Sequence, residues 1–338
     1  MSRPLQIAVF FLAIGAALTP WFDPPRALAL GIVLGLAGIT PLAAQTKVFS
    51  RCLMQGSIVL LGFTIGLADV ARAGTVGLAL STGVIVLALA ASEVLGRVFR
   101  TDREVGTLLS AGTAICGGSA IAATGQVIHA AAASIAVSTA VVFILNAVGV
   151  FAYPHLGRAL ALTPTQYGSW VAIGVHDVAG VVAAATGYDE AGVALQQATV
   201  VKLTRVLWIV PVALVLAQCY SRRNRALDSA DASAAGAAPR AGRVAVPMFV
   251  VYFLVAVGIR ALCDQFVHSP ESIDLLISLV AHAKLIAGKA LTVALLLIGT
   301  GLTRKTLATV GWRPAAHGVA LWLLVSAAAL AATLAFLK

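Results

Sequence analysis

Residues 104–128 read EVGTLLSAGTAICGGSAIAATGQVI, a stretch as long as a membrane-crossing helix and as apolar, with Cys116-Gly117-Gly118-Ser119 at its centre. A hydrocarbon core of about 30 Å takes roughly 20 apolar residues in a helix. Adjacent glycines loosen the backbone, so this stretch reads as a membrane helix that opens at mid-depth, where Ser119 caps the second half. The same glycines also suit close helix packing, through Gly112 to Gly117 and Gly118 to Ala122. The rest of the chain conforms to the same ruler. Of its 338 residues 60% are hydrophobic and only 11% charged, and the mean hydropathy is +0.98. That composition excludes a soluble globule, a disordered chain, a disulfide scaffold and a secreted enzyme. The expected fold is an all-α polytopic membrane protein.

Eleven spans follow, near 4–20, 25–41, 48–67, 73–96, 104–128, 132–152, 166–187, 190–219, 244–263, 271–302 and 315–337. Span 1 is expected to be a retained helix rather than a cleaved signal. The formal charge of +10 is mostly orientation. With the N-terminus inside, fifteen Lys and Arg residues fall on the cytoplasmic side, among them Arg97, Arg100, Arg103, Arg158 and Arg222, against Arg26, Arg72, Arg260 and Lys338 outside. Cytoplasmic loops carry that excess, so the chain is expected in a bacterial inner membrane with N-terminus in and C-terminus out. Residues 220–243, small, polar and basic, read as a flexible cytoplasmic linker between helices 1–8 (residues 1–219) and helices 9–11 (residues 244–338).

Eleven spans divide into a leading helix and two sets of five, and an odd set size makes the second set an inverted copy of the first. That pairing sets span 5 against span 10, a 32-residue span with Gly288 beside Lys289 where a second break is expected. Two half-helix amino ends facing each other would make an anion site.

Charged groups at mid-membrane cost roughly 2.5–3.5 kcal/mol each on insertion scales, so they call for partners. Lys202 and Arg205 lie three apart on one helix face, and Lys284 and Lys289 lie in span 10. Asp177 alone does not neutralise them. Either an anion fills the site, or one cation pairs with Asp177 while the others bond helix carbonyls or reach for the interface. The substrate-binding set expected is Lys202, Arg205, Ser119, Gly117, Gly118, Thr113, Lys284 and Lys289. His176, Asp177 and His282 are expected to couple a proton or orient the cations, although a buried histidine bonded to a carbonyl reads the same. Cys52, Cys116, Cys219 and Cys263 show no zinc spacing, so no metal or cofactor is expected.

At these residues the chain resembles the YeiH-type bacterial inner-membrane proteins, a family associated with sulfate export. The likeness lies in Leu61 to Val70, Gly112 to Ala120, Val175 to Ala179, Ala198 to Arg205 and the Gly-Leu pair before Trp312-Arg-Pro314. It implies a transporter of ten or eleven helices, related to the broken-helix fold of sodium/proton antiporters and bile-acid symporters. In that fold a core moves against a panel, and two discontinuous helices, here spans 5 and 10, cross at the substrate.

The function expected is therefore secondary active transport, as an exporter, of a small anion such as sulfate, a related oxyanion or an organic anion. A cation/proton antiporter working through Asp177 is the alternative, and a membrane sensor or membrane-embedded enzyme a further one. No Walker sequence, catalytic triad or HExxH occurs, so the chain is not expected to be an enzyme. Its expected partners are the lipid bilayer, a small anion and a second copy of itself, with no nucleic acid.

Overall fold

Apolar runs punctuated by Pro, Gly and short polar turns become helices throughout the computed structural model, which describes residues 3–228, 248–267 and 269–337. In chain order they are α1 Arg3–Ala17, α2 Pro24–Leu36, α3 Ala43–Phe63, α4 Leu67–Val98, α5 Arg103–Ala114, α6 Gly118–Val127, α7 Ala132–Ala159 and α8 Pro164–Gly174. There follow α9 Val178–Ala185, α10 Val193–Val206, α11 Ile209–Asp228, α12 Met248–Phe266, α13 Pro270–Gly299, the short α14 Arg304–Ala308 and α15 Trp312–Phe336. Six described helical runs are long and apolar enough to cross a membrane: α4, α7, α10 continuing to Leu216, α12, α13 and α15. α1 and α2 are apolar but shorter.

Span 5 is interrupted, as its glycines imply, but it does not continue across. Gly117 takes φ +68°, ψ −125°, a backbone that residues with a Cβ rarely adopt, and its N–H closes on the Gly112 carbonyl. The chain then doubles back. A Cβ on Gly112 would meet the Ile121 side chain and one on Gly125 would meet Leu108, so α5 and α6 lie side by side and antiparallel. At the base of this hairpin the Ala131 N–H donates to Glu104 Oε2 at 3.0 Å.

Span 7 does the same. The Tyr167 hydroxyl donates to the Ala184 carbonyl at 2.8 Å and Tyr188 to that of Leu162 at 2.9 Å, while the two tyrosine rings stack with centroids 3.6 Å apart. α8 and α9 thus form a second hairpin, with its tip at Val175-His176-Asp177. The turns that flank these hairpins share one device. Arg100, His129 and Ala161 adopt left-handed conformations just past α4, α6 and α7. Each turn closes with a bond from the next N–H to a carbonyl five residues back, at Gly96, Gly125 and Gly157.

The described helices sort into two sets. α2 and α3 pack on α13, with α1 on α13 and α12 on α3; the other set gathers α4 to α11 and α15. The sets touch sparsely, α4 on α12, α9 on α2 and α13, and α7 on α2. Within the first, α2 and α13 approach backbone to backbone: a Cβ on Gly31 would stand 2.1 Å from the Leu296 carbonyl oxygen.

Two expectations are corrected here. α13 runs unbroken through Gly288, where a Cβ would meet nothing within 4 Å, so the second interrupted span is span 7 and not span 10. The expected linker at 220–243 begins late, because α11 continues to Asp228; residues 229–243 lie outside the described residues.

Candidate functional site

α15 serves as a ruler for the two hairpins. Near its start His317 Nε2 lies 2.9 Å from Ser92 Oγ, which also bonds Gly106 near the base of the α5–α6 hairpin. Midway, Trp322 Nε1 donates to the Gly174 carbonyl at 2.7 Å, close to the tip of the α8–α9 hairpin. Just past its end the Leu337 carbonyl accepts from Gln166 Nε2 at the base of that hairpin. The hairpins therefore enter from opposite ends of the helix set, and their tips meet in its middle. Thr113 Oγ1 lies 3.3 Å from His176 Nε2 there, and Gly117 packs against His176 so closely that a Cβ would fall 3.4 Å from that of the histidine.

Helix ends leave unpaired backbone groups, and in an apolar interior each must be satisfied. At the carboxyl end of α8 the accounting is complete. Arg205 Nη1 donates to Ile173 at 2.8 Å and to Ala172 at 3.5 Å, Trp322 takes Gly174, and Lys202 Nζ donates to Val175 at 2.8 Å. At the end of α5, Arg205 Nη2 donates to Thr113 at 3.0 Å and also to Ala114, which receives Nε at 3.2 Å as well. Both cations are 0% exposed. Lys202 and Arg205 thus both bond helix carbonyls, and neither forms the expected ion pair with Asp177 among the described residues.

The amino ends differ from one another. Asp177 caps α9, its Oδ1 accepting from the Gly180 N–H, and Asn146 of α7 holds it in place. Asn146 Nδ2 donates to Asp177 Oδ2 and Asn146 Oδ1 accepts from the Asp177 N–H, each at 3.0 Å. α6 has no carboxylate at that place: Gly117 precedes it and offers no side chain, while the Cys116 thiol accepts from the Ala120 N–H in its first turn. Beside that end, Ser119 is exposed, and its Oγ lies 2.8 Å from Cys116 Sγ. His176 is 2% exposed and its Nδ1 has no hydrogen-bond partner among the described residues.

A family model described as Conserved hypothetical protein 698 matches residues 5–318. Relatives match over nearly the whole chain. The UPF0324 membrane protein of Porphyromonas gingivalis is 36% identical over 314 residues, covering 93% of this chain and 87% of that protein. Those of Geobacter sulfurreducens and Vibrio vulnificus are 34% and 35% identical, with 97% and 95% of this chain and 96% of each relative covered. The chain belongs to the UPF0324 membrane protein family. The YeiH-type resemblance lies within this family. No solved structure matches the chain.

Of the residues singled out in this UPF0324 sequence, Thr113, Gly117, Gly118, Ser119, His176, Asp177, Lys202 and Arg205 gather at the hairpin tips. The lysines of α13 and His282 do not join them. His282 is exposed and bonds the Ser278 carbonyl on its own helix. Lys289 Nζ donates to the Thr19 carbonyl beyond α1. Lys284 reaches toward Gly192 and lines a cavity of about 160 Å³ with Thr64, Gln196 and Thr199, between α3, α10 and α13. Sequence reading passed over Asn146 and Trp322. Asn146 had a signal, as the one carboxamide inside span 6, where an amide needs a partner. Trp322 had none.

Proposed function

We propose that this protein is a secondary transporter that carries a small anion across the bacterial inner membrane by alternating access, and is not an enzyme. The observation that carries the reading is the pair of hairpin tips meeting in the middle of the bundle, one of them with a glycine and no carboxylate at its helix amino end. Backbone breaks at membrane depth are tolerated only where they are buried in protein or line a cavity, and in carriers they mark the substrate site.

The sign follows from charge counting. Lys202 and Arg205 against Asp177, with two helix carboxyl ends of about −0.5 and two amino ends of about +0.5, leave about +1 at the tips. Asp177 already occupies the α9 end, so an anion would be met by the Gly118 and Ser119 N–H groups that open α6, with the Ser119 hydroxyl beside them. Sulfate, a related oxyanion or an organic anion, moved outward, matches this chemistry. The cavity lined by Lys284, Gln196 and Thr199 supports an approach between the two sets of helices, because Thr199 lies one turn before Lys202 on α10.

The membrane path proposed keeps the N-terminus inside and the C-terminus outside. Because each hairpin returns to the side it left, only α7 reverses relative to the eleven-span reading. Arg158 moves outside, and fifteen against four becomes fourteen against five, so the cytoplasmic excess persists. In place of the expected repeat, a five-and-five inverted arrangement in permuted order is proposed. α2, α3, α4, the first hairpin and α7 run opposite to α12, α13, α15, the second hairpin and α10–α11.

Counterflow in proteoliposomes tests the function, with radiolabelled sulfate, phosphate and a dicarboxylate offered at two pH values. Uptake of at least one anion into vesicles loaded with the same unlabelled anion is expected. Its loss by about tenfold is expected in Ser119→Ala, which removes one donor at the α6 end. Labelled sodium flux without anion flux would overturn the reading in favour of cation exchange.

A further inference from the structure

We propose that Arg205 is a clamp that fastens the two hairpin tips into one unit, and that it does not ligate the transported anion. The clamp itself rests on geometry alone, and its bearing on transport rests on the carrier reading above.

The two hairpins enter from opposite ends, and across their tips side chain to side chain they share the Thr113–His176 contact. Arg205, from a third element, reaches both. Its Nη2 and Nε hold Thr113 and Ala114 of α5, and its Nη1 holds Ala172 and Ile173 of α8. A planar guanidinium with donors on three nitrogens matches two converging helix ends, whereas the point charge of a lysine serves one of them. The remaining carbonyls of both ends are taken by Ile115 N–H on Ala111, Gly117 N–H on Gly112, Trp322 on Gly174 and Lys202 on Val175. An anion that drew Arg205 away would leave four buried carbonyls without donors in a low-dielectric interior. Any displacement of α4–α11 and α15 against the other set therefore carries both tips together.

Backbone hydrogen exchange in lipid nanodiscs tests this on the full chain, comparing the wild type with Arg205→Lys. Exchange about tenfold faster is expected in residues 111–121 and 171–181 together, with α13 unchanged. Arg205→Gln, uncharged and easier to house without partners, is the second variant and is expected to show the same paired loss. Acceleration in one hairpin only, in neither, or equally across α13 would overturn the clamp.

In proteoliposomes Arg205→Lys is expected to keep the apparent KM for labelled sulfate within about threefold while Vmax falls about tenfold. A KM raised about tenfold at unchanged Vmax would make Arg205 a ligand instead. If the wild type moves no tested anion, the carrier reading fails and hydrogen exchange alone decides the clamp.

Discussion

Asn146 is buried on α7, and its carboxamide meets both the N–H and the carboxylate of Asp177. Gly180 makes room for it, since a Cβ there would stand 2.6 Å from both amide atoms of Asn146. Removing the carboxamide in Asn146→Ala leaves two buried polar groups short of partners, a loss of about 1–3 kcal/mol. The measurement is the apparent melting temperature in detergent, expected to fall, with Gly180→Ala falling as well because the new methyl displaces Asn146. An unchanged melting temperature in both would mean that the amide does not hold the tip. Lys202 and Arg205 were legible as a buried pair from their spacing and surroundings. Their partners were not, because backbone carbonyls carry no letter in a sequence.

Glycines within the helices divide by what faces them. Gly288, expected to break α13, stands in open space within a continuous helix, whereas Gly31 lies against the backbone of α13 at Leu296. Gly288→Ala should therefore raise stability by up to about 1 kcal/mol through helix propensity. Gly31→Val should lower it by about 1–3 kcal/mol or more, by forcing α2 off α13. Denaturant or thermal unfolding in detergent reads both, and equal effects would contradict this packing. The two positions look alike in sequence, each a glycine in an apolar run. Only the approach of a second helix separates them, and Gly117 differs again because its positive φ turns a chain that would otherwise run on.

Two hairpins entering from opposite ends cancel each other in the topology of the bundle. One alone would invert every later loop relative to eleven straight crossings. The path has a direct test in a cysteine-free background. A cysteine at Ala131 should react with a membrane-impermeant maleimide from the same side as one at Thr101. A cysteine at Leu160 should react from the same side as one at Glu190. Eleven straight crossings would put the members of each pair on opposite sides, and that labelling pattern would sink the hairpins.

Membrane residence and the identity of the buried charges could both be read from composition and spacing, because each depends on residue type and position along the chain. Whether residues 104–128 and 166–187 cross the bilayer or double back could not, since apolar length measures how much surface avoids water and is blind to direction. Contacts between residues far apart in the chain settle that direction: Glu104 with Ala131, Tyr167 with Ala184, and Arg205 with the ends of both hairpins.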